Sequence, residues 1–367
     1  PYTTLFRSIS ILKTVTRLQM SVNAKGDVGR GAMKLTIKEI ADMAGVSVTT
    51  VSQILNNKGS RFSEKTRNKV LAVVAENHYK PDYFASNVIN RHSKTIGMIV
   101  PDVTDFFFSK VIEGVETYLN SLGYMILLCN SKHDSEQAMQ YVSELIHRSV
   151  DGIIFATPNV LPENHILKDR REHPIPVILV DRGINPRDSG RLIVKEYEGA
   201  YQAVHHLIQQ GHQHIGMLRE SAGYYRLTER VTAYQHALQD NNLPFRPHYV
   251  CAGELNLHGG YAAAKEVLKN EEITAIFCGN DEMAMGAYQA IEEAGKKIPD
   301  DISVVGFDGL EISEYLVPSL TTVYQPSFDI GYYAAKFLVE AIADPTGKVP
   351  NKVFDATFIA RKSTKPI

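Results

Sequence analysis

Cysteine is scarce in this chain: three residues in 367, at positions 129, 251 and 278. The number is odd and no Cys-x-x-Cys spacing occurs, which argues against a disulfide framework or a zinc ribbon and points to reduced, buried thiols. No apolar run approaches the ~20 residues that a membrane-spanning helix requires, so no membrane partner is expected. Also missing are the GxxxxGK[ST] phosphate loop, the GxGxxG dinucleotide fingerprint and the HExxH zinc pair. No cofactor is expected. Excess charge of either sign is nearly absent, with 39 Lys+Arg against 41 Asp+Glu and a net charge of −2.

That balance conceals an asymmetry. Residues 33–94 carry ten basic and five acidic side chains, a net of +5, and residues 1–32 carry five and one, a net of +4. Residues 95–367 carry 24 and 35, a net of −11. A basic head on an acidic body implies a polyanion partner for the head. Residues 1–32 begin with Pro and are weakly amphipathic. They read as a non-native or disordered leader outside the fold, with Met33 as the expected natural start and Met20 as the alternative.

The head contains IKEIADMAGVSVTTVSQILNN over 37–57. Ile37, Ile40, Ala41 and Ala44 fall at helical spacing, and Thr36 with Glu39 fits a capping box. Gly45 can take the left-handed turn that ends this helix, and Ser47 can cap a second one with Val51, Ile54 and Leu55 inward. Val48, Thr49, Ser52, Gln53 and Asn56 then face outward, a polar surface suited to a major groove. An ordinary αα-hairpin has the same spacing. A third helix from Ser63-Glu64-Lys65-Thr66, with Val70, Leu71 and Val74 on one face, gives the first two something to pack against.

After Lys94 the pattern changes. TIGMIVPD (95–102), YMILLCN (124–130), VDGIIFATP (150–158) and IPVILVDR (175–182) are short apolar runs separated by amphipathic helical stretches, a βαβ series. The series then starts again: HIGMLRES (214–221) echoes the first run, ITAIFCGND (273–281) the third and ISVVGFDG (302–309) the fourth. Two open α/β units with parallel sheets make a two-lobed body, and ligands of such sheets bind beyond the carboxyl ends of the strands. Just past those ends stand Asp105, Phe107 and Phe108; Asp181 and Arg182; Asn280 and Asp281; and Asp308. Arg230 and Gln325 lie in similar connecting positions. Carboxylates, an amide and guanidinium groups can hold hydroxyls that both donate and accept, while ring C–H faces pack on Phe, as a small polyol requires. Each acidic residue, taken singly, could instead cap the following helix. His212 and His214 precede a strand, at the sheet end away from the cleft, and are expected to be structural or surface groups.

With LTIKEIADMAGVSVTTVSQILNN, FSEKTRNKVLAVVAENHYKPD, GHQHIGML, CGNDEMAMGAYQAIEEAG, IPDDISVVGFDG and PSLTTVYQP in view, the chain resembles the lactose-repressor family of bacterial transcription regulators over residues 35–364. The resemblance implies an all-α helix–turn–helix head and a two-lobed periplasmic-binding-protein-like body. It also implies a homodimer on palindromic operator DNA, a hinge helix entering the minor groove, and an effector in the cleft that controls DNA affinity. By motif, Val48, Thr49 and Gln53 would read bases; Ser47, Thr50, Ser52 and Asn56 would contact phosphates; Thr36 joins the DNA-binding set. In the hinge PDYFASNVINRHS, Ala85 fits, Ser86 replaces the usual Arg and Val88 the usual wedge Leu.

The body also resembles periplasmic ribose-binding proteins and ribose operon repressors. Asp105, Phe107, Phe108, Asp181, Arg182, Arg230, Asn280, Asp308 and Gln325 would bind the effector. The departures are Asp105 and Ala156 for Asn, Leu255 for Phe, and Lys195-Glu196 for an Asp-Asn pair. The expected division is 1–32 leader, 33–80 head, 81–94 hinge and 95–367 core. Its lobes would be 95–193 with 326–343, and 194–325 with 344–367. The implied function is a non-enzymatic, cytoplasmic, allosteric repressor of sugar-utilisation genes, answering to a ribose-like sugar. The alternatives are a catabolite-control regulator answering to a phosphoprotein, or a repressor for another sugar or a nucleoside.

Overall fold

Thr36 opens the first ordered element. Its Oγ1 accepts from the Glu39 amide at 3.3 Å, and its own amide donates to Glu39 Oε2 at 2.7 Å, the reciprocal capping box. Helix α1 (Ile37–Ala44) ends at Gly45, whose φ of +63° is the left-handed conformation that glycine adopts without strain. Ser47 caps α2 (Val48–Leu55) by accepting the Thr50 amide at 3.1 Å, and Ser63 caps α3 (Glu64–Glu76) by accepting that of Thr66 at 3.2 Å. These details come from a computed structural model that describes residues 35–55, 59–79, 93–156, 175–180, 190–221, 228–344 and 349–367.

The three helices enclose Ile40, Ala41, Ala44, Val51, Ile54 and Val70, with Leu55, Phe62, Val73 and Val74 against them. Leu71, expected on this face, is 46% exposed. One residue along a helix turns the side chain by about 100°, so Val70, Val73 and Val74 form the inward stripe instead.

The chain divides into two units at Arg91/His92. In the second, β1 (Thr95–Val100) pairs with β2 (Met125–Asn130) and with β3 (Gly152–Phe155). β4 (Val177–Val180), β5 (Arg191–Val194) and β11 (Lys352–Phe354) extend the sheet in the order β11-β5-β4-β3-β1-β2, every pairing parallel. Along β1, Ile96, Met98 and Val100 join one core cluster while Ile99 joins another, the period-two alternation of a sheet covered on both faces. Helix α4 (Phe106–Ser121) covers one face and α5 (Ser135–His147) the other.

The second lobe repeats the plan. β7 (Val250–Gly253), β6 (Ile215–Glu220), β8 (Ala275–Cys278) and β9 (Ser303–Val305) lie parallel in that order. Helices α6 (Glu196–Gln209) and α7 (Thr228–Asp240) cover one face, and α8 (Leu257–Val267) and α9 (Asp281–Glu293) the other. β1 and β6, whose Ile-Gly-Met motifs echo one another, occupy equivalent places: each lies between the second strand and the third strand of its sheet.

Past β10 (Thr322–Tyr324), helix α10 (Ser327–Ala343) returns to pack on the first lobe against α4. The approach is so close that a Cβ on Gly331 would clash with the Val111 carbonyl oxygen. The segment expected to lie in the second lobe from residue 344 begins differently. β11 first covers the open edge of β5, and the chain crosses over only afterwards, so that β12 (Thr357–Ile359) pairs antiparallel with β10. Residues 1–34, residue 80 of the expected head and 81–92 of the expected hinge lie outside the described residues.

Candidate nucleic-acid interface and effector cleft

Outward from the head core, Ser47, Val48 and Thr49 are exposed at the start of α2, and Thr50, Ser52 and Gln53 are half-buried. Three of the expected polar contacts are already engaged. Thr36 is consumed by its capping box, and the Ser47 and Thr50 hydroxyls bond each other at 2.9 Å. Gln53 brings a residue that sequence reasoning passed over. Nη2 of Arg61 donates to Oε1 of Gln53, and the Arg61 guanidinium lies 5.1 Å from the Phe62 ring centre. Arg61 has only donors, so this contact fixes which end of the Gln53 amide it meets. A bidentate adenine contact by Gln53 would need that oxygen released. Asn56, Ala85 and Val88 lie outside the described residues.

In the body, strand ends place the charged groups. Asp105 caps α4: its Oδ1 accepts the amides of Phe107 at 2.7 Å and Phe108 at 3.4 Å. Those two rings are buried and meet edge to face at 5.2 Å. Asn280 caps α9 through the Met283 amide at 2.8 Å and donates to the Leu255 carbonyl at 3.3 Å, so it, like Asp105, caps the helix that follows it. Asp281 is wholly structural. Its carboxylate accepts from the Leu310 amide (2.7 Å), Ser313 Oγ (2.6 Å) and Thr322 Oγ1 (2.5 Å), while burial pushes its pKa up to about 6.

Arg230 gathers the rest. It is 1% exposed, and its Nε donates to Glu196 Oε2 at 3.0 Å. Its Nη1 donates to the Gly279 carbonyl, and its guanidinium stacks 3.8 Å over Phe307. Nη2 lies 3.8 Å from Asp308 Oδ1, outside hydrogen-bond range, and has no hydrogen-bond partner among the described residues. Gln325 Nε2 donates to the same Asp308 oxygen at 2.6 Å. Asp308 holds a φ of +114°, a strained value for any residue but Gly and one that is often found where function demands it. Thus Arg230, Asn280, Asp308 and Gln325 come together in the second lobe, and Asp105, Phe107 and Phe108 in the first. Asp181 and Arg182 lie outside the described residues.

The two lobes approach closely. Lys110 on α4 reaches to 3.9 Å from Glu311 of the second lobe. Glu282, in the first turn of α9 and 6% exposed, has its pKa pushed up to about 8, chiefly by burial and then by the charges of Asp105 and Asp102 across the cleft. Glu196, Glu220, Glu282 and Phe307 were not among the expected site residues. Glu196 stood only as a departure from the family pattern, yet it holds Arg230. Glu220, at the end of β6, is buried.

The histidines before β6 behave as expected. His212 is buried between Thr274 Oγ1 (2.9 Å) and the Lys365 carbonyl (3.2 Å), and burial lowers its pKa; His214 bonds the Tyr249 hydroxyl at 2.9 Å. Among the described residues no group of three or more potential ligands is arranged to hold a metal, and no helix is long and apolar enough to cross a membrane.

Comparison with known proteins agrees with this geometry. Residues 36–82 match the model of bacterial regulatory proteins, lacI family, and residues 93–362 that of periplasmic binding proteins and the sugar binding domain of the LacI family. The chain is 37% identical over 311 residues to a protein named HTH-type transcriptional repressor PurR from Vibrio atlanticus, covering 84% of this chain and 92% of that one. It is 31% identical to the Ribose operon repressor of Haemophilus influenzae, covering 89% and 98%. A crystal structure of a LacI family regulator from Enterococcus faecium with bound ribose matches with a TM-score of 0.68 at 32% identity, covering 74% of this chain and 99% of that one. The lac repressor dimer bound to operator and the anti-inducer ONPF matches with a TM-score of 0.78 at 26% identity, covering 90% and 99%. A reciprocal helix cap opening a three-helix head, and a repeated parallel sheet with a buried guanidinium at its strand ends, are therefore the two halves of one known plan: the chain belongs to the LacI family of DNA-binding transcriptional repressors with a sugar-binding domain.

Proposed function

We propose that the protein is a cytoplasmic homodimeric repressor of sugar-utilisation genes, that it binds a palindromic operator, and that D-ribose in the cleft controls this affinity. The head is assigned to 33–80, the hinge to 81–94 and the core to 95–367. Val48, Thr49 and Gln53 read bases. Ser47, Thr50, Ser52 and Asn56 fix register on phosphates, with Thr36 beside them, and Ala85 and Val88 act in the minor groove. Asp105, Phe107, Phe108, Asp181, Arg182, Arg230, Asn280, Asp308 and Gln325 bind the sugar. The chain performs no catalysis.

One observation carries the sugar reading: the buried Arg230 Nη2, which lacks a hydrogen-bond partner among the described residues and stands beside the Asp308–Gln325 pair. An orphaned donor inside a protein is costly, and a ligand hydroxyl that accepts from Arg230 while donating to Asp308 removes the cost. Support for ribose in particular comes from the named relative in Haemophilus influenzae and the ribose-bound structural neighbour. Support for a dimer comes from the edge strand β2, where Met125, Leu127 and Leu128 are exposed, and from the dimeric lac repressor neighbour. Sugar closes the cleft and shifts the lobes at the dimer interface, and the paired heads lose their shared register. Such a shift extends only as far as the sugar's differential affinity for the two states.

The test is fluorescence anisotropy of a labelled palindrome from upstream of the protein's own gene cluster. It is run at fixed salt without sugar, then with D-ribose, arabinose, glucose and fructose. Release by ribose alone is expected. Tight binding that ignores every sugar would overturn the effector assignment and turn attention to control by a phosphoprotein.

A further inference from the structure

Ser93 and Lys94, the last two residues of the segment assigned as hinge, fall in the second compact unit and lead directly into β1, and one carboxylate holds both. Oδ1 of Asp151 accepts the Ser93 amide at 2.7 Å and the Ser93 hydroxyl at 3.1 Å, and Oδ2 accepts the Lys94 amide at 2.9 Å. Two backbone amides and one hydroxyl thus donate to a carboxylate, and such charge-assisted bonds are stronger than neutral ones. Asp151 stands directly before β3, 57 residues from Lys94, and its own amide donates to the Thr95 carbonyl at 2.8 Å.

Other contacts fix the same spot. The Lys94 carbonyl accepts from the Met125 amide at 2.8 Å, and the Lys94 ammonium lies 4.1 Å from the Tyr124 ring centre and 3.4 Å from the Leu122 carbonyl. Ser93 is buried, and Lys94 holds a φ of +51°. A lysine in the left-handed region is uncommon, and surrounding structure must keep it there. Nothing in the cleft needs this joint. It lies at the amino ends of β1, β2 and β3, whereas effector residues stand past the carboxyl ends, about 20 Å away along a six-residue strand.

We infer that Asp151 is a positioning residue for operator binding: by clamping Ser93 and Lys94 it fixes the direction in which the preceding segment leaves the body. This rests on the dimeric operator-binding reading above. Two heads engage one palindrome as a unit only if each is presented at a defined place. A stiff joint keeps the effective concentration of the second head high for its half-site, and a loose one lowers it. The sequence already contained the residues, but nothing local in VDGII or RHSKT links them.

The experiment compares wild-type protein with Asp151→Ala, Asp151→Asn and Ser93→Ala, full chains throughout, on two DNA duplexes: a palindrome and a single half-site. The alanine variant is expected to bind the palindrome about tenfold more weakly while its half-site affinity is unchanged. Asn, which keeps one acceptor oxygen, and Ser93→Ala, which removes one of three bonds, should show smaller losses. The slope of log affinity against log salt should not change, because no phosphate contact is lost. Palindrome binding by Asp151→Ala within twofold of wild type would overturn the inference. So would an equal loss on both duplexes, which marks a merely structural residue, or a wild type that binds both duplexes alike. If Asp151→Ala does not fold, the Asn and Ser93 variants decide by the same comparison. Calorimetry with D-ribose is run alongside: failure of wild type to bind it overturns the ribose assignment and leaves the DNA comparison intact.

Discussion

Nη2 of Arg230 stands 3.8 Å from Oδ1 of Asp308, with Glu196 on the far side of the guanidinium at 3.0 Å from Nε. One buried cation thus lies between two buried carboxylates, each within 4 Å but only one hydrogen-bonded to it. A group left poised in this way favours a ligand that completes the arrangement.

Asp308→Asn should weaken D-ribose binding by about 2 kcal/mol or more, as for loss of one partner in a buried charged contact. Asn tolerates positive φ better than most residues, so the fold should survive. Calorimetry reads the loss, and sugar-free operator binding should be unaltered. A variant released from operator at wild-type sugar concentrations would remove Asp308 from the site.

Arg230→Ala should destabilise the body by about 3–5 kcal/mol, because it removes a buried cation that faces both Glu196 and Asp308. Urea unfolding followed by circular dichroism measures this. A small change would mean that the two carboxylates find water or take up protons.

Gln53→Ala should lose discrimination at one base pair per half-site, on the order of 1–3 kcal/mol, read from a series of operators with single substitutions. A uniform loss across the series would mark Gln53 as a phosphate contact. Arg61→Ala frees the Gln53 amide oxygen and should change which base that position prefers.

Glu282 gives a pH dependence of definite sign. Its pKa rises from 4.5 to about 8 in the folded protein, so the unfolded chain releases this proton first. The stability tied to the protonated form is complete below pH 4.5 and is lost as pH rises to about 8. Glu282→Gln should therefore melt at a higher temperature than wild type at pH 8–9, and the gap should shrink toward pH 5. Parallel melting curves across that range would refute it.

In the head, Ile40→Ala should cost about 2–5 kcal/mol and Leu71→Ser less than about 0.5 kcal/mol, since only Ile40 is buried. Thermal unfolding of the full chain separates the two.

Much of this molecule was legible before any coordinates. Thr36 with Glu39, Gly45, and Ser47 with Thr50 are contacts within three or four residues, and the amino-acid types alone imply them. The repeated Ile-Gly-Met motif placed β1 and β6 at matching positions because an apolar run flanked by helical periods leaves a buried parallel strand few alternatives. Leu71 was misplaced where two neighbouring apolar residues competed for one face, a choice settled by packing rather than by propensity.

What the sequence could not decide lies between residues far apart. β11 covers β5 across some 160 positions, as the Lys352–Leu192 pairing shows, and so moved a segment from one lobe to the other. Glu196 reaches Arg230 across 34 positions and Asp151 reaches Lys94 across 57. Local order is written in caps and periods that act over a single turn or strand. Partners at such separations are chosen only when crossovers bring strand ends and helix starts together, and burial then makes every unpaired charge costly.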